Sequence, residues 1–155
     1  MLRTIGAEQA PFHRTYITGP TALCADHPGR SKPFWHSMGS PDVWKIAGQN
    51  YPDTSCFFGE REIIDISEYL ALLGIQTNIT RCASYERATF DMLYYHIEQN
   101  RRIVPNIQAS DINDVVDFDR VREWIDTLAQ AGTLKSGQAM QAWLTSGGIW
   151  EEVER

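Results

Sequence analysis

The chain has 155 residues, of which 43% are hydrophobic and 11% aromatic, a size and composition that fit one domain with a buried core and exclude a disordered chain. Its net charge is −6 and its pI is about 5.1, which disfavours nucleic acid as a partner because phosphate binding needs a basic surface. Three separated cysteines form no CxxC pair, so we expect no disulfide framework and no metal.

No segment approaches the roughly eighteen apolar residues that a membrane span needs, and residues 1–14 lack the apolar core of a secretory signal. We therefore expect a cytoplasmic protein without a membrane partner. The Gly- and Pro-rich region 19–59 predicts mostly loop, interrupted by short β-prone runs at 14–18 and 43–47.

The segment that follows predicts a helix over 60–73. Apolar side chains recur every three or four residues, acidic residues occupy the first turn, and Gly74 follows the last. Residues 75–82 are rich in β-branched side chains and predict a strand.

The second half of the chain predicts mainly helices. Ser84 is suited to cap a helix over 85–99, although the aromatic content of this segment also allows a strand. A further helix begins at Asp117 and ends before Gly132, and a last helix begins after Ser136.

With a short extended segment at 103–107, these elements predict a single α/β domain over 1–155, a mixed sheet flanked by helices. We expect the segments 43–47 and 75–82 to be neighbouring strands. An exposed sheet edge would favour a homodimer.

The region 43–62 suggests a ligand site, because a strand is followed by a Gly turn, a loop and a predicted helix N-terminus. Such a helix end suits a pyrophosphate or a phosphopantetheine arm. We expect the backbone of Trp44–Gly48 to line a thioester and the N–H groups near Phe58–Glu60 to face a phosphate.

Three short motifs resemble one family. Arg14 leads into Thr18-Gly-Pro-Thr-Ala-Leu23, and Ser40-Pro-Asp-Val-Trp-Lys-Ile46 and Gly74-Ile-Gln-Thr-Asn-Ile-Thr80 follow. Their order and approximate spacing resemble the acyl-homoserine-lactone (autoinducer) synthases over residues 14–126. The resemblance implies an acetyltransferase-like fold and an acyl thioester of CoA or of an acyl carrier as the bound group.

The predicted ligand residues follow from these two observations. The cofactor-binding set is Trp44, Lys45, Ala47, Gly48, Phe58 and Gly59, and the substrate-binding set is Arg14, Trp35 and Thr80. Lys45 stands where the resembled family has an acid, which removes a base for the attacking amine. We therefore expect an acyltransferase-like protein that binds an acyl ligand with little or no turnover.

A second hypothesis is a papain-like cysteine hydrolase. Gln49, Cys56 and His96, followed by Asp111 or Asp114, stand in the order of that clan, in which a helix end stabilises the thiolate and a Gln donates to the oxyanion. Cys56, His96 and Asp111 would then be catalytic. A purely structural role for Cys56 is the alternative, since cysteine is among the most buried residue types.

A third hypothesis is a non-catalytic module that binds a protein partner. Trp35 and Trp150 lie in Gly-rich or terminal contexts and are candidates for an interface, whereas Trp44 and Trp124 are expected in the core. Arg101–Arg102 is the compact basic group of the sequence. It is either a solvated surface or a site for one phosphate.

Overall fold

A computed structural model describes residues 15–34 and 36–146. Its strands are β1 (Tyr16–Ile17), β2 (Ile46–Ala47), β3 (Ile63–Asp65) and β4 (Arg81–Ala83). Its α-helices are α1 (Gly19–Ala22), α2 (Ser55–Phe58), α3 (Ser67–Leu72), α4 (Tyr85–Leu93), α5 (Phe118–Gln130) and α6 (Gly137–Ser146). A π-helix over Tyr94–Gln99 continues α4, and short 3-10 helices occupy Pro41–Val43 and Ala109–Asp111.

The four strands form one mixed sheet in the order β2-β1-β4-β3, which confirms the predicted α/β architecture. Ile17 of β1 pairs with Cys82 of parallel β4 and with Ile46 of antiparallel β2. β3 runs antiparallel to β4. The prediction that the strands in 43–47 and 75–82 are neighbours is wrong, because β1 lies between them.

The predicted helix over 60–73 is wrong in its first half. Glu62 has a φ of 66°, a left-handed conformation that a right-handed helix does not accept. Ile63 and Ile64 then extend and pair with β4, as their β-branched side chains favour. Only the second half of the segment forms a helix, α3.

The other predicted strands are shorter than expected. In the segment 75–82 the Thr77 hydroxyl accepts a hydrogen bond from the Ile79 N–H at 3.1 Å, and such local bonds compete with strand pairing. β4 therefore begins only at Arg81. The segment 103–107 forms no strand, because it contains Pro105 and a left-handed Asn106 with φ 68°.

The predicted helices of the second half are confirmed. The Ser84 side chain accepts from the Arg87 N–H at 3.1 Å at the start of α4, and Asp117 caps α5 in the same way. Gly132 follows α5 with a φ of 81°, a conformation that favours glycine.

The core lies between the sheet and the helices, and its largest buried side chains include Trp44 and Trp143. Trp44 is 1% exposed, as predicted, and Trp124 is half-buried against the same core. Trp35 and Trp150 lie outside the described residues.

A charged cluster is buried beside β1. The Asp91 carboxylate of α4 accepts hydrogen bonds from the hydroxyls of Tyr16 at 2.9 Å, Thr18 at 2.8 Å and Thr54 at 2.7 Å. The Arg87 guanidinium donates to the Tyr16 hydroxyl at 3.0 Å. This Asp91 cluster joins three separate parts of the chain, because Tyr16 and Thr18 lie in and directly after β1, Thr54 precedes α2 and Asp91 lies in α4.

Arg87 completes the cluster at the end of α2. Its guanidinium donates to the carbonyls of Gly59 at 2.9 Å and Arg61 at 2.7 Å. The side chain is fully buried, and a buried charge is tolerated only with partners of this kind. Arg87 therefore fixes the turn between α2 and β3.

Candidate functional site

The structure does not bring the predicted catalytic residues together. Cys56 is exposed on the four-residue helix α2, and within the described chain no hydrogen bond joins its thiol to His96. His96 Nε2 lies 3.4 Å from the Tyr51 hydroxyl instead. Asp111 accepts from the Gln108 backbone N–H at 2.8 Å, so its carboxylate caps a 3-10 turn and does not orient an imidazole.

The predicted thioester site at Trp44–Gly48 lacks the unpaired backbone groups on which it depended. The Lys45 N–H donates to the Thr21 hydroxyl at 2.9 Å, and the Lys45 carbonyl accepts from Thr18. The Gly48 N–H donates to the Tyr51 carbonyl at 2.8 Å. Ala47 lies in β2 and pairs with Tyr16. The expectation of a splayed strand end is therefore wrong.

Phe58 and Gly59 lie at the end of α2 and not at a helix start. Carbonyls are the groups exposed at such an end, and the Gly59 carbonyl is bound by the Arg87 guanidinium. The expected phosphate-binding N–H groups are therefore absent from this place. Thr80 lines an open cavity of about 510 Å³ beside α3. Arg14 and Trp35 lie outside the described residues.

A different place combines an apolar surface with free positive charge. It is a groove of about 360 Å³ between the end of the π-helix and α6, and we call it the arginine groove. Its lining residues are Ile97, Arg101, Arg102, Ile103, Ser136, Ala139 and Ala142. The volume lies in the range of roughly 300–1,000 Å³ that small-molecule sites occupy.

Glu98 fixes the two walls of this groove relative to one another. Its carboxylate, on the π-helix, accepts from the backbone N–H groups of Lys135 at 2.9 Å and Ser136 at 2.7 Å. These N–H groups precede α6, where a helix has unsatisfied donors and a positive dipole end. These bonds fix the start of α6 relative to the π-helix. The space between the two helices remains open as the groove.

The backbone at the rim of the groove is strained. Arg101 has a φ of 53°, which costs a residue with a side chain about 1–2 kcal/mol. The turn places the Arg102 N–H on the His96 carbonyl at 2.9 Å. Left-handed residues and π-helical turns are both concentrated at functional sites, and here they adjoin each other.

The two arginines at this turn differ in how they are used. Arg101 donates through Nε to the Glu98 carbonyl at 3.3 Å. The Arg102 guanidinium forms no hydrogen bond or ion pair with any described residue. Arg102 is therefore the free cation at the edge of an apolar surface.

Positive charge also surrounds the neighbouring His96. Burial, and then the charges of Lys45 and Arg102, hold the pKa of His96 below its ordinary value. The Lys45 ammonium has no carboxylate partner among the described residues. The Tyr51 ring contacts His96. The same ring covers Gly19, a left-handed residue at which an added Cβ would lie 2.8 Å from the ring. The groove thus opens beside the positive charges of Lys45 and Arg102.

One feature of the arginine groove was identifiable from the sequence, and its other lining residues were not. Arg101–Arg102 was identifiable as a compact basic pair. Ala139 and Ala142 belong to an ordinary amphipathic helix, and Ile103 lies in a segment that predicts a strand, so only the fold shows that they share one surface.

Within the described ranges, no helix has both the length and the apolar character to cross a membrane. The chain was also compared with known proteins. No protein-family model, no curated protein and no solved structure matches it.

Proposed function

We propose that this protein binds an organic anion that carries an apolar acyl chain. The chain lies along the arginine groove, and the anionic group pairs with the Arg102 guanidinium. The observation that carries this proposal is the free Arg102 cation at the edge of an exposed apolar surface.

Two features favour an amphipathic ligand over a simple inorganic ion. Ile103 is 57% exposed, and Ala139 and Ala142 extend the same apolar surface along α6. Covering this surface removes apolar area from water, which stabilises a complex by about 25 cal/mol per Å². An ion without a chain would gain only the contact with Arg102.

The anionic group of the proposed ligand follows from the positive charge of Arg102. A guanidinium presents a planar set of donors that matches a carboxylate or a phosphate, and such bonds are stronger than neutral ones. The positive surroundings of His96 add to the attraction. The resemblance to acyl-homoserine-lactone synthases supports an acyl chain, and a thioester of CoA is one anion of this class.

Calorimetric titration with straight-chain carboxylates from butanoate to decanoate tests the proposal. We expect the affinity to rise about fourfold for each CH₂ that enters the groove, and then to level off. Acyl-CoA is a second arm, with release of free thiol measured beside binding. Binding without thiol release fits a protein in which, among the described residues, the exposed Cys56 thiol is not hydrogen-bonded to His96.

Ala139→Phe and Thr145→Phe form a matched pair of variants on α6. Both positions are exposed, but only Ala139 lines the groove. We expect Ala139→Phe to abolish the chain-length effect and Thr145→Phe to leave it unchanged. Equal affinities in the two variants, or no binding of any carboxylate by the wild type, would contradict the proposal.

A further inference from the structure

A second cavity, of about 340 Å³, lies between α3 and the turn that follows α1. We call it the acidic cavity. The lining side chains that bear on its chemistry are Asp26, His27, Asp65, Glu68, Tyr69 and Leu72. Among the described residues no lysine or arginine lines it, and its polar groups are three carboxylates, one imidazole and the Tyr69 hydroxyl.

None of the three carboxylates is neutralised by the chain. Asp26 accepts a hydrogen bond from the Lys32 backbone N–H at 2.9 Å, and Asp65 accepts from the Ser67 hydroxyl at 2.6 Å. The Ser67 bond holds the pKa of Asp65 below its usual value. Within the described chain these carboxylates, Glu68 included, form no ion pair. All three therefore remain available as hydrogen-bond acceptors.

His27 supplies an independent observation. It is 4% exposed and lines the cavity, yet its Nδ1 has no hydrogen-bond partner. Nε2 lies 3.1 Å from the Ala22 carbonyl, and a carbonyl can only accept, so Nε2 carries the proton. Nδ1 is then a buried acceptor without a donor, which is unfavourable until a ligand supplies one.

The cavity also has an apolar side. Leu72 is 82% exposed at the end of α3, beside the half-buried Tyr69. The carboxylates and His27 Nδ1 accept hydrogen bonds, and Leu72 and the Tyr69 ring offer apolar surface to an aliphatic chain. A ligand that fits both must carry N–H donors, a positive charge and a short apolar stem.

We infer that the acidic cavity binds an alkylammonium or alkylguanidinium group. The carboxylates pair with the cationic head, and the stem lies against Leu72 and Tyr69. A free alkylamine and a lysine or arginine side chain of another protein share this chemistry. The inference is separate from the proposed acyl-anion site, because the two cavities share no residue.

The test is a titration of the full chain, followed by NMR, with hexylamine, with agmatine and with a short peptide containing Arg-Leu. A peptide with Gln-Leu serves as the uncharged control. We expect saturable shifts at residues 26–29 and 65–72. Tighter binding of the Arg-Leu peptide than of agmatine indicates a protein side chain as the source, and the reverse order indicates a free amine.

The double variant Asp65→Asn/Glu68→Gln removes two charges from the cavity. Asp114→Asn/Glu123→Gln removes the same charge elsewhere on the exposed surface. We expect at least about a fivefold loss of affinity in the first variant and less than twofold in the second. Equal losses, or no saturable shift with any of the cations, would overturn the inference.

Discussion

The Asp91 cluster and the arginine groove both hold ionised side chains, but only the first supplies their partners. Asp91 accepts from three hydroxyls, and Arg87 donates to two carbonyls and a phenol. Among the described residues, the Arg102 guanidinium has no hydrogen-bond or ion-pair partner. A buried charge is tolerated in the fold when the chain supplies its partners, whereas a charge without partners beside an apolar surface is available to a ligand. Mutations should therefore affect stability at one place and binding at the other.

The largest expected effect is the loss of Arg87. Arg87→Leu leaves Asp91 buried without its cation and the carbonyls of Gly59 and Arg61 without a donor. Breaking a buried charged pair in this way costs about 3–5 kcal/mol. Urea denaturation measures the free energy of unfolding, with Arg102→Leu as the control, for which we expect a change within about 0.5 kcal/mol. Similar losses in the two variants would contradict the distinction between the two regions.

Burial shifts the pKa values of two groups in opposite directions, so their contributions to stability should depend on pH in opposite ways. Burial raises the pKa of Asp91 from 3.8 to about 6 and lowers that of His27 from 6.5 to about 4. The Asp91 contribution to stability is complete below pH 3.8 and is lost as the pH rises through about 6. The His27 contribution is complete above pH 6.5 and is lost as the pH falls through about 4. Each effect is about 3 kcal/mol.

Urea denaturation between pH 4 and 7 separates these two contributions. Relative to the wild type, Asp91→Asn should gain stability as the pH rises from 4 to 6. His27→Phe, which keeps a ring stacked on Tyr85, should gain stability as the pH falls from 6.5 to 4. Differences from the wild type that do not vary with pH would show that neither group has the assigned shift.

Removal of the Arg102 charge should affect binding alone. Arg102→Ala should weaken decanoate binding about tenfold or more, since a hydrogen bond to a charged group contributes about 1.5–3 kcal/mol. Arg122→Gln is the control, because Arg122 pairs with Asp119 on the surface and does not line the groove. Calorimetry gives both affinities, and an equal loss in the two variants would indicate a general effect of charge.

The smallest expected effect concerns the strained turn. Arg101→Gly relieves a φ of 53° and should stabilise the protein by about 0.5–1 kcal/mol. Decanoate affinity should fall slightly, because the Arg102 side chain is then held less firmly. Thermal denaturation and calorimetry on the same sample test both. A destabilised variant would show that Arg101 acts through its side chain and not through its backbone.

The sequence predicted the helices better than the sheet. Ser84 and Asp117 indicate helix starts because their side chains can cap a helix through local hydrogen bonds. The folded chain forms these capping bonds. The strand at Ile63–Asp65 was missed, because its apolar spacing also fits a helix. This segment is a strand because it pairs with Cys82 and Ala83, which lie about twenty residues further along the chain.

The candidate sites were less predictable for the same reason. The sequence drew attention to Cys56 and His96 by their order, but order does not determine distance. The arginine groove and the acidic cavity are made by residues far apart in the chain, such as Arg102 with Ala142 and Asp26 with Leu72. Only the basic pair Arg101–Arg102 could be identified from the sequence, because the two residues are consecutive in the chain.

The most direct test of the acyl-anion site is NMR mapping of decanoate on the isotope-labelled wild-type chain. We predict that the saturable shifts lie at Ile97, Ile103, Ala139 and Ala142, and that the Arg102 Nε–H resonance moves with them. The acidic cavity should stay unchanged in the same spectra. Saturable shifts confined to another surface, or an Arg102 resonance unaffected at saturation, would contradict the assignment of the arginine groove as the ligand site.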